Sequence, residues 1–307
     1  MKLFHLFFIA IASIFAACQP NASVEKTYLV LGHPYDWKVG NRLDPRLEQL
    51  DFSRFDQIWL GGDVCGQLTQ SPQTMEHLDS LLDFSSGKVQ WTLGNHDVMY
   101  GNLQYITNKT KRPTFYSSWE DGICLLVLNT NLFWLKPWAA PQENCAEKQA
   151  QMQLIQQVTD TVQQASHLIV FHHHALLNEL KLDSLGQVIK AFNVDPQRVL
   201  MTCDSTSNLT AWLYPRLVKI MARGVKVILV GGDLGMKAKK FEYTTPEGIT
   251  LLGTGINNSL DKKHPPEYVT NFDPDEVLLL HHQPETENLW WEFVFLNDLV
   301  EAHSDAN

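Results

Sequence analysis

The sequence has no extended basic run. Of its 307 residues, 24 are Lys or Arg against 34 Asp or Glu, a formal net charge of -10. Such a chain repels a phosphate backbone, which argues against nucleic acid as a partner. It has 5 cysteines but no Cys-x-x-Cys pair, so a zinc–thiolate site is not expected. It has no Gly-x-Ser-x-Gly elbow, which disfavours a serine hydrolase. Low-complexity tracts and internal repeats are missing too. An apolar run near the start, Leu3 to Ala17, is too short to span a bilayer stably. What is present is a globular composition, 44% hydrophobic and 19% charged, enough for one large domain with a full core or at most two.

Lys2 and the apolar run after it read as the first two regions of a targeting segment. The run ends in Phe15-Ala16-Ala17-Cys18, which resembles a bacterial lipoprotein lipobox with Phe where Leu is usual. The resemblance implies cleavage before Cys18, lipidation of that cysteine, and a membrane-anchored protein of the cell envelope facing periplasm or surface. Gln19 then favours the outer membrane. The plainer alternative is an ordinary signal peptide with an incidental cysteine. The expected organisation is a signal peptide over 1–17, a linker over 18–26 and a domain over 27–307. Export permits disulfides, and Cys65, Cys124, Cys145 and Cys203 allow three pairings. Cys124 lies in a strand-like run and reads as simply buried.

Short apolar runs at Thr27–Leu31, Gln57–Leu60, Val89–Leu93, Ile123–Leu128, Leu168–Phe171 and Val225–Val230 read as buried strands. A helical turn is expected around Leu43–Leu50. Ser71-Pro72 opens a helix with Met75, Leu78, Leu81 and Leu82 on one face. A long helix is expected from about Ala146 to Gln164, with Met152, Ile155, Val158 and Val162 inward. Asp183 to Arg223 reads as helices and a loop punctuated by Pro196 and Pro215. Later short strands at Phe241–Thr244, Ile249–Leu252, Val277–Leu280 and Trp290–Phe295 look antiparallel. The alternation is that of an α/β chain, two packed sheets flanked by helices, with a site at one sheet edge. The insert from Leu177 to Leu213 and the aromatic loop Phe133–Trp138 are expected to shape the pocket.

Five strand ends carry metal-ligand residue types: His33, Asp63, Asn95 with His96, His173 and Asp233. The most specific piece is Gly94-Asn95-His96-Asp97, which places an amide, an imidazole and a carboxylate at a strand's C-terminal end, where ligands bind in open α/β sheets. A His followed by an Asp suits a positioned acid whose tautomer the carboxylate fixes.

The order and context resemble the calcineurin-like metallophosphoesterases, over most of the chain from Thr27 onward. The resemblance implies their α/β/β/α sandwich. It implies that Asp63 bridges two metals, that Asn95 binds the second, and that His96 is the general acid oriented by Asp97. His173 aligns best as the next ligand, with His172 the adjacent alternative. Two positions depart from the pattern. Leu31 stands where the family has Asp, and Gly232-Asp233-Leu234-Gly235 stands where it has Gly-His-x-His. The first metal would keep only His33 and Asp63; the second would keep Asp63, Asn95 and His173, with Asp233 replacing a histidine. Asp36, past Pro34, is a weak replacement candidate.

One or two divalent ions are therefore expected. With three oxygen donors and one imidazole, Mn²⁺, Mg²⁺ or Fe²⁺ is favoured over Zn²⁺. The implied activity is phosphoester hydrolysis, a metal-activated water attacking phosphorus while His96 protonates the leaving group. The substrate would be a small phosphoester or a cell-envelope component. The alternative is a lipid-anchored binding or scaffold protein that keeps the fold with little catalysis.

Overall fold

The computed structural model describes residues 24–66, 71–99, 102–133, 145–177, 191–193 and 209–304. The signal segment with Cys18, the loop residues Trp134–Trp138, Cys203 and most of the insert (178–190 and 194–208) lie outside the described residues.

Two mixed sheets form the centre. The first has the strand order β11-β10-β1-β2-β3, with β1 (Lys26–Leu31), β2 (Gln57–Leu60) and β3 (Val89–Trp91) parallel. β10 (Glu276–Gln283) and β11 (Asn288–Phe295) run antiparallel at its edge. The second sheet has the order β4-β5-β6-β7-β9-β8. Its β5 (Ile123–Val127), β6 (His167–His172), β7 (Lys226–Gly231) and β9 (Thr250–Thr254) are parallel. The antiparallel strands β4 (Tyr116–Glu120) and β8 (Lys240–Thr244) close its two edges.

The apolar runs are continuous because both faces of the parallel strands are covered. Side chains alternate between two cores. Tyr28, Val30, Trp59, Leu278 and Leu280 of the first sheet meet Leu125, Val127, Phe171, Ile228 and Val230 of the second in the layer between the sheets. Leu29, Leu31, Ile58 and Leu60 point the other way. They pack with Met75, Leu78 and Leu82 of α1 (Pro72–Leu82) and Ile106 of α3 (Leu103–Thr110). α2 (Asn95–Met99) is a short helix between them. On the second sheet, Val227 and Leu229 face Ile155 and Val158 of α4 (Cys145–Thr161) and Leu213, Leu217 and Ile220 of α5 (Leu209–Met221). α6 (Leu296–Ser304) follows β11.

Several expectations change. Of the late strands, β10 and β11 are antiparallel at the edge of the first sheet as expected, but β8 and β9 extend the second sheet, where β9 pairs antiparallel with β8 and parallel with β7. Pro215 lies inside α5 instead of ending it. An interior proline costs about 3 kcal/mol, and burial of four apolar side chains, at about 1.5–3 kcal/mol each, outweighs that. The turn expected at Leu43–Leu50 is only a 3-10 turn at Leu47–Gln49. Cys65 and Cys124 are buried and free, and Cys145 is disulfide-bonded.

Candidate metal centre

The C-terminal ends of β1, β2 and β3 face those of β6 and β7. Backbones approach closely there. A Cβ on Gly232, just after β7, would overlap the carbonyl of Gly61, just after β2. His33 and Asp63 both leave their strands with positive φ, 46° and 52°. Side chains rarely adopt that conformation, and where they do the surrounding structure holds them.

Asp63 is the centre of the cluster. Its Oδ2 lies 3.2 Å from His33 Nε2 and 3.6 Å from His173 Nε2. Ligand atoms of the three residues all lie within 4.8 Å of one another. Two ligands about 2.1 Å from one ion in a tetrahedral site stand about 3.4 Å apart, so the spacing fits a single divalent cation. The tautomers fit as well. His33 Nδ1 donates to the carbonyl of Leu234, and His173 Nδ1 donates to that of Gly61 at 2.7 Å. A carbonyl can only accept, so each ring carries its proton on Nδ1 and turns an Nε2 lone pair into the site. Both Nε2 atoms are buried without a hydrogen-bond partner among the described residues, as is Asp233 Oδ2. Buried polar atoms are nearly always paired. The two imidazole lone pairs, converging on Asp63 Oδ2, form a set that a divalent cation could take up.

Of the two adjacent histidines, His173 is the one that stands beside Asp63. His172 turns its Nδ1 to the carbonyl of His174 and its Cε1 toward the position of Gly231, away from Asp63. Burial holds it near pKa 3. Asp233 stands closer to His33 than the family scheme implies, with Oδ1 3.6 Å from His33 Nε2. That oxygen accepts from Asn193 Nδ2 at 2.6 Å. Asn95 opens α2, partly exposed, between Gly94 and His96. Asp36 is no replacement ligand, because its Oδ1 accepts from the Lys38 amide within its own turn. Leu31 points into the helix-side core. Gly235 has φ +97° against the backbone of Gly255 and Ile256, where a histidine would be strained. The converging set of two imidazoles and a carboxylate holds more nitrogen than expected, so the preference for harder ions over Zn²⁺ finds no support in it.

Asp97 does not orient His96. Its carboxylate accepts from the backbone amides of Asp63, Val64 and Gly94 at 2.9–3.1 Å and from the Trp91 indole at 3.3 Å. It fixes the turn that carries Asp63 and His96. The His96 amide in turn donates to Asp63 Oδ1 at 2.7 Å. A Cβ at Gly94 would overlap that same oxygen. The His96 ring is held instead by its Nδ1, which donates to the Gly66 carbonyl at 2.6 Å, and by the ring of Tyr35, stacked at 6.1 Å.

The charges are set by competing effects. Burial alone would raise the Asp63 carboxyl, but His173, His33 and His96 outweigh it and hold it far below the usual range. Burial would depress His33, but Asp63 and Asp233 raise it. Burial and then the Asp63 charge push Asp97 up to about 6, against its four N–H donors. Asp233 is raised, chiefly by burial.

Sequence reasoning missed two neighbours of the site. Tyr35 lies two residues after a ligand type in a loop with no periodicity. Asn193 comes from the insert, and nothing in its spacing links it to Asp233.

No family model matches the sequence, nor does any curated protein. Solved structures do match in fold. A dimetal phosphatase from Danio rerio superposes with a TM-score of 0.51 at 11% identity, covering 83% of this chain and 92% of that one. GAP50, the anchor in the inner membrane complex of Plasmodium, gives 0.52 at 11% identity, covering 89% and 85%. At such identity the likeness is one of fold. The chain is a two-sheet α/β sandwich flanked by helices, similar to a dimetal phosphatase, and its His/Asp cluster could hold a metal.

Proposed function

We propose that the protein is a metal-dependent phosphoester hydrolase, anchored through lipidated Cys18 in a bacterial cell envelope and acting on a phosphoester there. The observation that carries this reading is the convergence of orphaned Nε2 atoms of His33 and His173 on Asp63 Oδ2, beside His96. His33, Asp63 and His173 would hold a divalent ion, which would supply Lewis acidity toward a phosphoryl oxygen and a more acidic water. The chain supplies the rest. The carbonyls of Leu234 and Gly61 keep both ligand rings in the metal-binding tautomer. Asp97 holds the Gly94–Asp97 turn rigid. With Nδ1 committed to Gly66, His96 has Nε2 as the atom that gives a proton to the departing alkoxide.

The second reading, a catalytically weak or inactive lipid-anchored binding protein that keeps the fold, rests only on the non-ligand residues Leu31 and Gly235. The test is metal content and turnover of a chromogenic phosphomonoester and diester, with Mn²⁺ and with chelator. Metal-dependent turnover is expected, and His96→Ala should lower it by about 10²–10⁴-fold while metal stays bound. A metal-loaded protein that hydrolyses neither ester supports the binding role instead.

A further inference from the structure

Tyr35 sits in the loop after β1. That loop is tied down by a bridge between Tyr35 and Leu43 and by Trp37, whose amide donates to Ser259 Oγ and whose indole donates to the Ile256 carbonyl. The Tyr35 ring is sandwiched. Trp37 stacks on it at 4.7 Å and 28°, and His96 stacks on it at 6.1 Å and 26°. Its edge meets the ring of His33 at 6.3 Å and 81°. It also lies over Gly66, where a Cβ would come within 3.0 Å of Tyr35 Cε2. Gly66 is the residue whose carbonyl holds His96. So one rigid aromatic ring, 6% exposed, touches a metal ligand, the acid and the acid's anchor.

Its hydroxyl makes no hydrogen bond among the described residues, yet it does not count among the fully enclosed orphan atoms. The ring that carries it lies against both His33, by its edge, and His96, by its face, so the hydroxyl belongs to the same cluster as the ligand and the acid. A phenol there has a donor and nothing in the protein to give it to.

Resting on the phosphoester reading above, we propose that the Tyr35 hydroxyl donates a hydrogen bond to a non-bridging oxygen of a phosphoryl group held at the His33–Asp63–His173 centre. It is a binding residue for the anion rather than for the metal. The phenol remains protonated, and no bond is made or broken at it.

Tyr35→Phe isolates the hydroxyl, because the ring and its two stacking partners are kept. The probe is inorganic phosphate, titrated calorimetrically into full-length Mn²⁺-loaded protein. Metal content and thermal midpoint are measured alongside. The expected result is unchanged metal content and midpoint with phosphate bound about tenfold more weakly, the usual worth of a hydrogen bond to a charged group. Tyr268→Phe, at the exposed rim, should change phosphate affinity less than twofold. Equal phosphate affinity in Tyr35→Phe and the parent overturns the proposal, and so does an equal loss in both variants. If Tyr35→Phe loses metal, the hydroxyl serves the ion and the proposal fails. A parent that binds phosphate, weakened by Tyr35→Phe, but hydrolyses no ester refutes the hydrolase reading and leaves this one standing. A metal-loaded parent that binds no phosphate removes both.

Discussion

The two ends of the sandwich bury the same residue type and drive it in opposite directions. At the site end His33 is 0% exposed, and its imidazole is raised because Asp63 and Asp233 overcome burial. At the other end His167, on the first residue of β6, is 1% exposed and is pushed down to about 4 by burial, with Lys226 and His282 adding to it. The far end also ties up polar groups between the sheets. Tyr28 Oη bonds His282 Nδ1 at 3.1 Å, the Trp59 indole donates to Gln57 Oε1 at 2.6 Å, and Gln57 donates to Glu120. Burial alone therefore empties a histidine of charge. What distinguishes the site is the pair of carboxylates kept dry beside the imidazoles. That cluster is costly to bury by itself, and a cation would compensate it.

The largest effect is expected where the central charge is removed and its shape kept. Asp63→Asn preserves the side-chain outline and tolerates φ +52°. Metal measured by plasma mass spectrometry should fall to background, and turnover should drop on the order of 10³-fold, the several kcal/mol a Lewis acid contributes. In metal-free protein the His33 ring, followed by NMR, should then titrate lower than in the parent, moving toward the behaviour of His167. Stoichiometric metal in the variant would show that the carboxylate is not what separates the two ends.

Asp97 tests the backbone beneath the charge. Asp97→Asn replaces one acceptor oxygen by a donor group facing amides that also donate. It should cost about 2–4 kcal/mol in denaturant unfolding, a larger stability loss than His96→Ala produces. Unchanged unfolding together with a fall in turnover matching that of His96→Ala would return Asp97 to the role of orienting His96.

That reversal shows what could and could not be read from the chain. β2 coincides with its apolar run, and β1, β6 and β7 lie within a residue or two of theirs. All four are covered on both faces, so hydrophobicity alone marks them. β4 escaped notice because Tyr-Ser-Ser-Trp-Glu is a half-exposed edge strand. α2 and α3, five and eight residues long, carry too few turns for an apolar stripe. The ligand types were legible because glycine and polar residues recur after apolar runs. Asp97 was misassigned because neighbours in sequence are not neighbours in a helix. About 100° of rotation per residue sends His96 and Asp97 to different partners, one to Gly66 and the other into the Gly94 turn. Tyr35 and Asn193 reach the centre through loop geometry, which leaves no periodicity to find.

The smallest expected effect lies at the far end. The unfolded chain titrates His167 near 6.5, while the folded protein resists its protonation until about pH 4. Between those values the unfolded state binds more protons, so stability rises with pH there. The contribution is complete above about pH 6.5 and is lost progressively as pH falls toward 4. The full shift corresponds to at most about 3 kcal/mol. His167→Gln keeps a hydrogen-bonding group next to Ser166, whose Oγ lies 2.9 Å from the ring nitrogen, and cannot titrate. Unfolding free energies of parent and variant should converge as pH drops from 6.5 to 4, with the variant's curve the flatter of the two. Parallel curves over that window would mean that the buried imidazole at the far end is already charged, and the contrast with His33 would then not be one of environment.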